Sequence, residues 1–309
     1  MPIALAVLAA LAVAAAPGAP RRPDTVALRF AWRTPLEARV LYRRTVEQEG
    51  RPPSVFTARF TTRAERDGER IRIVSRDTAW SGVAPFPPGF ADQALRASEQ
   101  VVEVLDARGA FAGLEGTEAM RPVLAKIYAL AEVPREQAAR AVELAEAAMR
   151  TETEQLWNLQ AGFWMGAELE VGRTYAMEGE AAVPLAPGLR ARQEVRFSAR
   201  RRVPCGAGDR EVRCVELMLR ASSDAGALAS AAAALLPSLA GAGVPIPPDE
   251  VREIAAEAEA LVVTEPATLL PHRLVWTKRL RATWGTPDGL ASAEREERSE
   301  YEWRYEGAG

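Results

Sequence analysis

The residues best suited to covalent or metal chemistry are two cysteines and one histidine, Cys205, Cys214 and His272. The cysteines flank a short turn-like stretch between two β-like runs, which is typical of a disulfide that joins the strands of a hairpin. An even cysteine count in an oxidising compartment favours pairing. We therefore predict a Cys205–Cys214 disulfide. We predict no metal site, because these three residues are a poor ligand set unless carboxylates lie nearby.

Recognisable catalytic motifs are missing from the sequence. It contains no G-x-S-x-G, no P-loop, no dinucleotide-binding glycine pattern and no H-E-x-x-H. The lone histidine, His272, lies beside a predicted strand, where a loop or strand-edge role is the simpler interpretation. Glu143, Glu146, Glu152 and Glu154 lie on predicted helical faces, where solvation explains them. No catalytic residue and no cofactor is therefore predicted.

The charges of the chain give no reason to expect nucleic acid as a partner. The net charge is −3 and only two residues are lysines. One segment, residues 190–202, is basic, and the last segment, residues 294–306, is acidic. Cross-strand pairing can satisfy both segments without a ligand. Contact of the basic face with anionic lipid or polysaccharide is the alternative.

The amino-terminal residues predict export. Residues 1–16 form an apolar, alanine-rich stretch that is followed by Pro17, Gly18 and a polar, arginine-containing segment. As a helix this stretch spans roughly 21 Å, short of the ~30 Å hydrocarbon core of a bilayer. We predict a signal peptide at 1–16 and a flexible segment at 17–24. The predicted location is periplasmic or secreted, with no transmembrane anchor after cleavage.

Most of the remaining chain shows the two-residue period of strands with one buried face. Residues 25–80 alternate in this way, and Asp67-Gly68 predicts a hairpin turn. Further strands are predicted at 100–106, 174–183, 193–203, 211–220, 261–265, 273–284 and 293–305. The last is the clearest, with Ser299, Tyr301, Trp303 and Tyr305 on one side and charged residues on the other. Its amphipathic pattern predicts a strand tied into the sheet.

Helical periodicity interrupts the strands twice. Residues 117–160 predict two helices, with Pro122 near the start of the first and Pro134 opening the second. Residues 224–260 predict another pair, at 224–240 and 248–260. The fold class is therefore α+β, a curved, mainly antiparallel sheet of about ten strands with two helical insertions packed on its apolar face. Residues 25–309 are predicted to form one domain.

The predicted disulfide conflicts with regular strand pairing. If Cys205 lay opposite Cys214 in an unbroken ladder, Val203 would face Glu216 and Arg202 would face Leu217. Both faces of the hairpin would then mix charged and apolar residues, and a shift of one residue would repair this. We therefore predict a bulge or kink near Pro204, since proline cannot donate to a ladder.

The predicted architecture resembles that of the LolA/LppX-type envelope proteins. The resemblance lies in the exported chain, the strands with two helical insertions and the segment Val263-Thr-Glu-Pro-Ala-Thr-Leu-Leu-Pro271, an acidic turn that leads into a strand. Proteins of this type hold lipid or lipoprotein acyl chains in a curved half-barrel beneath helices. The chain is longer than a typical member and contains more helix, and the resemblance transfers no functional residue.

Three functions follow as hypotheses. The first is a non-catalytic structural or interaction protein of the envelope, with envelope components as partners and its aromatic residues forming core. The alternative is a periplasmic carrier that binds a lipid or another apolar ligand between the sheet and the helices. The second alternative is a hydrolase with an unrecognised site. For the carrier, the candidate lining residues are Phe30, Trp32, Phe56, Phe60, Trp80, Trp157 and Trp164.

Overall fold

The structure is a computed structural model that describes residues 23–83, 89–183, 186–206, 211–223, 226, 228, 251–286 and 289–305. Its strands are β1 (Thr25–Ala27), β2 (Leu36–Gln48), β3 (Ser54–Asp67), β4 (Arg70–Gly82), β5 (Val102–Leu105), β6 (Phe111–Glu115), β7 (Glu168–Glu170), β8 (Thr174–Val183), β9 (Ala186–Val203), β10 (Cys214–Ser223), β11 (Val251–Thr264), β12 (Pro271–Thr286) and β13 (Gly289–Tyr305). The helices are α1 (Ala91–Ser98), α2 (Arg121–Leu130) and α3 (Arg135–Gln160), with 3-10 turns at Thr117–Met120 and Gly162–Trp164. The α+β class is confirmed.

Eleven of these strands form one open antiparallel sheet in the order β6-β5-β4-β3-β2-β13-β12-β11-β10-β9-β8. The last strand, β13, lies between β2 and β12, so it joins the amino-terminal strands to the carboxy-terminal ones. The predicted tie of the C-terminal strand into the sheet is therefore confirmed. Strands β1 and β7 form a separate antiparallel pair.

Helix α3 lies in the connection between the two edges of the sheet. It follows β6, which is one edge strand, and precedes β7 and then β8, the other edge strand. With 26 residues it is about 39 Å long, whereas ten spacings between strands cover about 48 Å. The helix contacts β6, β9 and β11. It therefore crosses much of the sheet and covers part of one face.

The main hydrophobic core lies between this face and the α3 region. Trp157 and Trp164 are both 1% exposed, and they pack with Leu28 and with sheet residues such as Leu217 and Leu274. Trp157 and Trp164, two of the candidate lining residues, thus belong to the core. The bounds of α2 and α3 confirm the helical insertion at 117–160, and Pro122 lies in the first turn of α2.

Helix α1 is not predicted by the sequence pattern. Its buried residues are Ala91, Ala94 and Ala97. A stripe made of alanines gives a weak periodic signal, because alanine contrasts little with polar neighbours.

The helix predicted at 248–260 is wrong over its described part, because Val251–Thr264 is strand β11. The apolar residues of this segment fit the period of a helix as well as that of a strand. In the structure Ile254, Ala256 and Ala260 are buried, while Glu257 and Glu259 are exposed. Alanine favours helix locally. Pairing with β10 on one side and β12 on the other outweighs that preference.

The predicted signal peptide at 1–16 lies outside the described residues. Of the helix predicted at 224–240, the structure describes residues 226 and 228, both helical. Asp24, the last residue of the segment predicted to be flexible, pairs with Arg202 at 2.9 Å. The chain is therefore already anchored to β9 where β1 begins.

The first predicted strand is shorter than its alternation indicates. Only Thr25–Ala27 pairs as a strand. Residues 28–33 continue the alternation of burial, with Leu28 buried and Phe30 and Trp32 half-buried. Leu28 exchanges backbone hydrogen bonds with the segment before β7, and the N–H groups of Arg29 and Ala31 donate to the loop before β12. The alternating pattern correctly predicts which residues face inward. It overestimates the length of the strand that pairs in a β-ladder.

The Cys205–Cys214 disulfide is present, with a Cα–Cα distance of 5.0 Å. The cysteines do not lie opposite each other, because Cys214 pairs with Val203 and Cys205 follows the end of β9. The irregularity lies between Glu216 and Leu217, opposite Arg200. A bulge near Pro204 is therefore wrong in position. The shift that realigns charged and apolar residues lies at Arg200, four residues before Pro204. There Arg200 and Arg201 both pair with Glu216.

The opposite face of the sheet carries paired charges. The basic strand β9 and the acidic strand β13 are separated by three strands, so their residues pair with closer neighbours. Arg192 pairs with Glu178 on β8, and Arg279 on β12 pairs with Glu296 on β13. Cross-strand pairing therefore accounts for both charged segments.

Candidate ligand site

A cavity of about 270 Å³ lies beside α3, over the amino-terminal half of the sheet. We call it the aromatic cavity. Its walls come from the segment before β2, from α3 and from strands β2, β3, β4, β5, β12 and β13. The lining residues are Trp32, Leu36, Ala38, Val40, Tyr42, Phe60, Thr62, Ala64, Ile73, Ser75, Glu103, Leu156, Gln160, Pro271, Tyr301, Trp303 and Tyr305.

The register of β2 and β13 creates this space. Tyr305 lies opposite Ala38, and Trp303 lies opposite Val40. On the other side of β2, Ala38 pairs with Thr62. Large side chains on β13 therefore project beside small ones on β2 and β3, and the small residues form the floor of the cavity. The inward alternation of Tyr301, Trp303 and Tyr305 supplies the aromatic wall.

Three aromatic residues close the end of the cavity near the amino-terminal segment. The ring of Trp32 lies 5.3 Å from that of Phe30 and 5.3 Å from that of Trp157, measured between centroids. Its contact with Trp157 is edge-on. The indole N–H of Trp157 donates to the carbonyl of Gly109 at 3.0 Å. The indole N–H of Trp32 is buried and has no partner among the described residues. Trp32 therefore lines the cavity with its ring, while its indole N–H is itself buried and does not open onto the cavity.

Glu103 is the ionisable carboxyl group of the cavity wall. It lies on β5 opposite Ile73, another lining residue. Burial raises the pKa of Glu103 to about 7. Near neutral pH the side chain is therefore a mixture of carboxylic acid and carboxylate, and the acid form can donate a hydrogen bond into an apolar space.

The tyrosines of the cavity are held in place by stacking and hydrogen bonding. Tyr301 stacks on Tyr42 with ring centroids 4.6 Å apart. The hydroxyl of Tyr305 donates to the carbonyl of Pro271 at 2.8 Å. Burial raises the pKa of Tyr42, Tyr301 and Tyr305. These rings are neutral around physiological pH and act as a fixed apolar wall.

A second cavity, also of about 270 Å³, lies beside α3 over the carboxy-terminal half of the sheet. We call it the aliphatic cavity. It is lined by Gln155, Asn158, Leu159, Phe163, Met177, Gly179, Glu180, Ala181, Gln193, Val195, Leu219, Ala221, Ala258, Ala260 and Trp276. Alanines of β8, β10 and β11 leave this space unfilled.

A buried ionic cluster separates the two cavities. Lys278 on β12 and Glu297 on β13 are each 5% exposed. Glu297 accepts from Arg44 at 2.7 Å, and the Lys278 ammonium lies 3.5 Å from Glu297 and 3.6 Å from Glu152 of α3. Burial tends to raise the pKa of Glu297, but Lys278 and Arg44 outweigh burial and the pKa is lowered. Glu297 is therefore ionised in the folded protein.

A wider groove of about 470 Å³ lies among the charged residues of β9–β12. Its charges are already satisfied within the protein. Arg220 pairs with Glu259 at 2.7 Å, and Arg196 pairs with Glu194 at 2.7 Å. This groove is therefore a weaker candidate for a charged ligand than its size indicates.

The predicted lining residues separate into three groups. Trp32 and Phe60 line the aromatic cavity, and Phe30 and Trp157 pack behind Trp32. Phe56 and Trp80 stack on each other at 6.1 Å and line neither cavity, although Phe56 contacts Tyr42 of the aromatic cavity edge-on at 6.1 Å. Trp164 packs against Phe163 and Phe197 near the aliphatic cavity.

The sequence reasoning omits five important residues of the aromatic cavity: Tyr42, Glu103, Tyr301, Trp303 and Tyr305. The alternation of the last strand places three of them on one inward face. The alternation therefore predicts the strand and its inward face. Only the order of strands in the sheet shows that this face lies near Tyr42 and Glu103.

His272 lies at the start of β12. Its described neighbours do not form a recognisable catalytic arrangement. Its Nε2 lies 3.2 Å from the Glu265 carboxylate, which also accepts from the Thr268 hydroxyl at 3.0 Å. The ring contacts Tyr305 edge-on at 5.4 Å. These bonds join the two ends of the loop between β11 and β12, so a structural role explains the His-acid pair.

Comparison with known proteins identifies no family. No family model and no curated protein matches the chain. Among solved structures, lipovitellin, studied for its lipid–protein interactions, is similar with a TM-score of 0.40 and 9% identity, over 93% of this chain and 26% of that one. Pseudomonas aeruginosa OccK8 (OprE) is matched with a TM-score of 0.16 and 6% identity, over 87% and 98% of the two chains. The chain spans about a quarter of lipovitellin, and neither similarity is close enough to carry a functional conclusion.

Within the described part of the chain, no helix is both long and apolar enough to cross a membrane.

Proposed function

We propose that the protein is a non-catalytic binding protein that holds a small apolar ligand with one polar group in the aromatic cavity. The observation that carries this proposal is an unfilled aromatic space of about 270 Å³ with one carboxyl group, Glu103, in its wall. Ligand sites combine mostly apolar walls with a few polar groups in this way. At about 270 Å³ the cavity is slightly smaller than the ~300–1,000 Å³ range of such sites, which favours a small ligand.

The lining favours a ligand that is flat or narrow. Trp303 and Tyr301 stack with ring centroids 5.5 Å apart, and their faces and edges offer contact to rings or acyl chains. The polar group of the ligand would lie toward Glu103, whose carboxyl group can accept or donate a hydrogen bond according to pH.

The competing hypothesis, an envelope protein whose aromatic residues are only core, accounts for part of the molecule. Trp157 and Trp164 are fully packed and need no ligand. It does not account for the open space beside Trp32 and Phe60, since protein interiors are normally filled.

The proposed location is the periplasm or the cell exterior. The disulfide is compatible with an oxidising compartment, and the apolar residues 1–16 are the sequence basis for export. An apolar ligand needs a carrier in such an aqueous space, because its transfer into water is unfavourable.

The test uses phenylnaphthylamine, a neutral apolar fluorophore with one N–H group, titrated into the purified full chain. Two matched variants each fill one cavity from a small, half-buried strand residue. Ser75→Trp fills the aromatic cavity from β4, and Ala258→Trp fills the aliphatic cavity from β11. We expect Ser75→Trp to weaken binding at least about tenfold and Ala258→Trp to leave it near the wild-type value.

Circular dichroism of each variant checks that the sheet is intact. Loss of binding in Ala258→Trp alone would place the probe in the aliphatic cavity and contradict the proposal. Equal binding by both variants and the wild type would also contradict it. If the fold of Ser75→Trp is lost, Thr62→Phe fills the same cavity from β3 and replaces it in the comparison.

A further inference from the structure

The disulfide and the histidine lie together at one end of the sheet. Ligand atoms of Cys205, Cys214 and His272 are all within 4.8 Å of one another. The two cysteines are 6% and 0% exposed, and His272 is half-buried. Glu265 lies 3.2 Å from Nε2 of His272. The carboxylate that the sequence alone could not position is therefore beside the histidine.

The fold assembles this cluster from three separate segments. Cys205 follows the end of β9, and Cys214 begins β10. His272 is the second residue of β12, at a shift in the ladder between β11 and β12. Paired strands hold Cys214 and His272, and Cys205 follows directly after β9, so the cluster does not depend on the disulfide alone for its position.

We propose that the reduced protein binds one Zn²⁺ at Cys205, Cys214 and His272. A dithiol reductant supplies two electrons and two protons, the S–S bond breaks to give two thiols, and the reductant becomes a disulfide. Zn²⁺ then replaces the two thiol protons, which leave to solvent, and two S–Zn bonds form together with one N–Zn bond. The oxidised chain does not bind zinc, since the disulfide sulfurs are not thiolates.

The geometry needs only a small adjustment. Zinc takes thiolate sulfur at about 2.3 Å and histidine nitrogen at about 2.0 Å in a tetrahedral arrangement. Its ligand atoms then lie roughly 3 to 4 Å apart, which is within the 4.8 Å spacing of this cluster. The sulfurs must separate from their bonded distance, and reduction releases them to do so.

The charges and the neighbouring carboxylate also fit zinc. Two thiolates balance Zn²⁺, so the buried site carries no net charge. With Nε2 of His272 donating to Glu265, Nδ1 is the nitrogen that binds the metal, and the carboxylate fixes the orientation of the ring. Water takes the fourth position. Soft sulfur with imidazole nitrogen favours zinc over magnesium or calcium.

The experiment starts from the full chain, reduced with dithiothreitol and desalted without oxygen. Co²⁺ is added as a coloured substitute, and Zn²⁺ is then titrated to displace it. We expect one metal ion per reduced chain, with the sulfur-to-cobalt charge-transfer absorption of a thiolate site, and no such absorption from the oxidised chain. His272→Asn should lose tight binding, and Glu265→Gln should weaken it by about tenfold.

His272→Asn can still form the disulfide, so its oxidised form shows whether the substitution preserves the fold. Cys214→Ser removes one thiolate and should also lose tight binding. Wild-type binding by either variant would overturn the proposal. So would a reduced wild-type chain that binds no metal, or one that unfolds by circular dichroism and is not refolded by Zn²⁺.

Discussion

The two halves of the helix-covered face have cavities of equal size and different chemistry. Each cavity has a volume of about 270 Å³ and is bounded by α3 on one side. Over β2–β5 and β13 the walls are aromatic and include the carboxyl group of Glu103. Over β8–β12 the walls combine small and aliphatic side chains with Phe163, Trp276 and four polar residues, Gln155, Asn158, Glu180 and Gln193. The same helix and the same sheet thus produce two distinct environments.

The difference comes from how each half leaves its space open. In the aromatic half, large residues on β13 stand beside small ones on β2, such as Tyr305 beside Ala38. In the aliphatic half, Ala258 and Ala260 of β11 do not reach far enough to fill the gap below α3. The first arrangement surrounds a partly buried carboxyl group, Glu103, with aromatic rings, whereas the carboxyl group of the second cavity, Glu180, is exposed.

The largest expected effect tests whether each half has its own core. Trp157 packs with Phe30 and Trp32 in the aromatic half, and Trp164 packs with Phe163 and Phe197 in the other. Since both tryptophans are 1% exposed, either change to alanine should lower the free energy of unfolding by about 4 kcal/mol. Urea denaturation measures both losses.

Probe binding then separates the two variants. Trp157→Ala removes the support of Trp32 and should weaken phenylnaphthylamine binding, while Trp164→Ala should leave binding unchanged below its unfolding transition. A larger loss of binding in Trp164→Ala would contradict the assignment of the site to the aromatic half.

Sequence reasoning recovers the inward-facing residues better than their arrangement. Alternation correctly places Ser299, Tyr301, Trp303 and Tyr305 on one face, because a strand with one buried side must alternate. It does not reveal that β13 pairs with β2, since pairing between distant segments leaves no local signal. The contact between Tyr301 and Tyr42 therefore becomes visible only with the strand order.

Two other errors have a similar cause. The alanines of β11 favour helix locally, and only its two neighbouring strands make it a strand. The disulfide is predicted from the cysteines, but the bulge lies at Arg200 because Glu216 is satisfied there by two arginines. In both cases tertiary partners decide the structure, and the sequence within the segment does not identify them.

The next prediction concerns the ionic boundary between the halves. Glu297→Gln leaves Arg44 and Lys278 without their buried anion and should cost about 3 kcal/mol of unfolding free energy near neutral pH. Lys278→Met should cost less, because Glu297 keeps its 2.7 Å contact with Arg44. Denaturation of the two variants under identical conditions measures the difference.

The pH dependence gives a second readout for the same boundary. The pKa of Glu297 is lowered in the folded state, so its contribution to stability is present above the unfolded pKa and is lost as pH falls through the folded pKa. The stability advantage of the wild type over Glu297→Gln should therefore shrink in acid. An advantage that grows on acidification would show that Glu297 is not ionised within the cluster.

The smallest effect, and the one most specific to the aromatic half, belongs to Glu103. Its pKa is about 7 in the folded protein against a usual 4.5, so the folded state binds the proton more tightly than the unfolded state. The stability that this proton provides is complete below pH 4.5 and is lost as pH rises through 7. Glu103→Gln keeps a neutral side chain at every pH. It should be more stable than the wild type by about 2 kcal/mol at alkaline pH, with water in the cavity moderating the effect, and similar to it in acid.

Glu103→Gln also separates the two cavities without filling either. A bound probe removes water from the Glu103 carboxylate and its single N–H replaces only part of that hydration, so phenylnaphthylamine binding to the wild type should weaken as pH rises through 7, where Glu103 ionises. Binding to the variant should stay constant over the same range, because glutamine does not titrate. The corresponding control in the aliphatic half is Glu180→Gln, which should leave the pH dependence of the wild type intact. If Glu180→Gln abolished the pH dependence and Glu103→Gln preserved it, the polar group of the ligand would lie on the other side of α3.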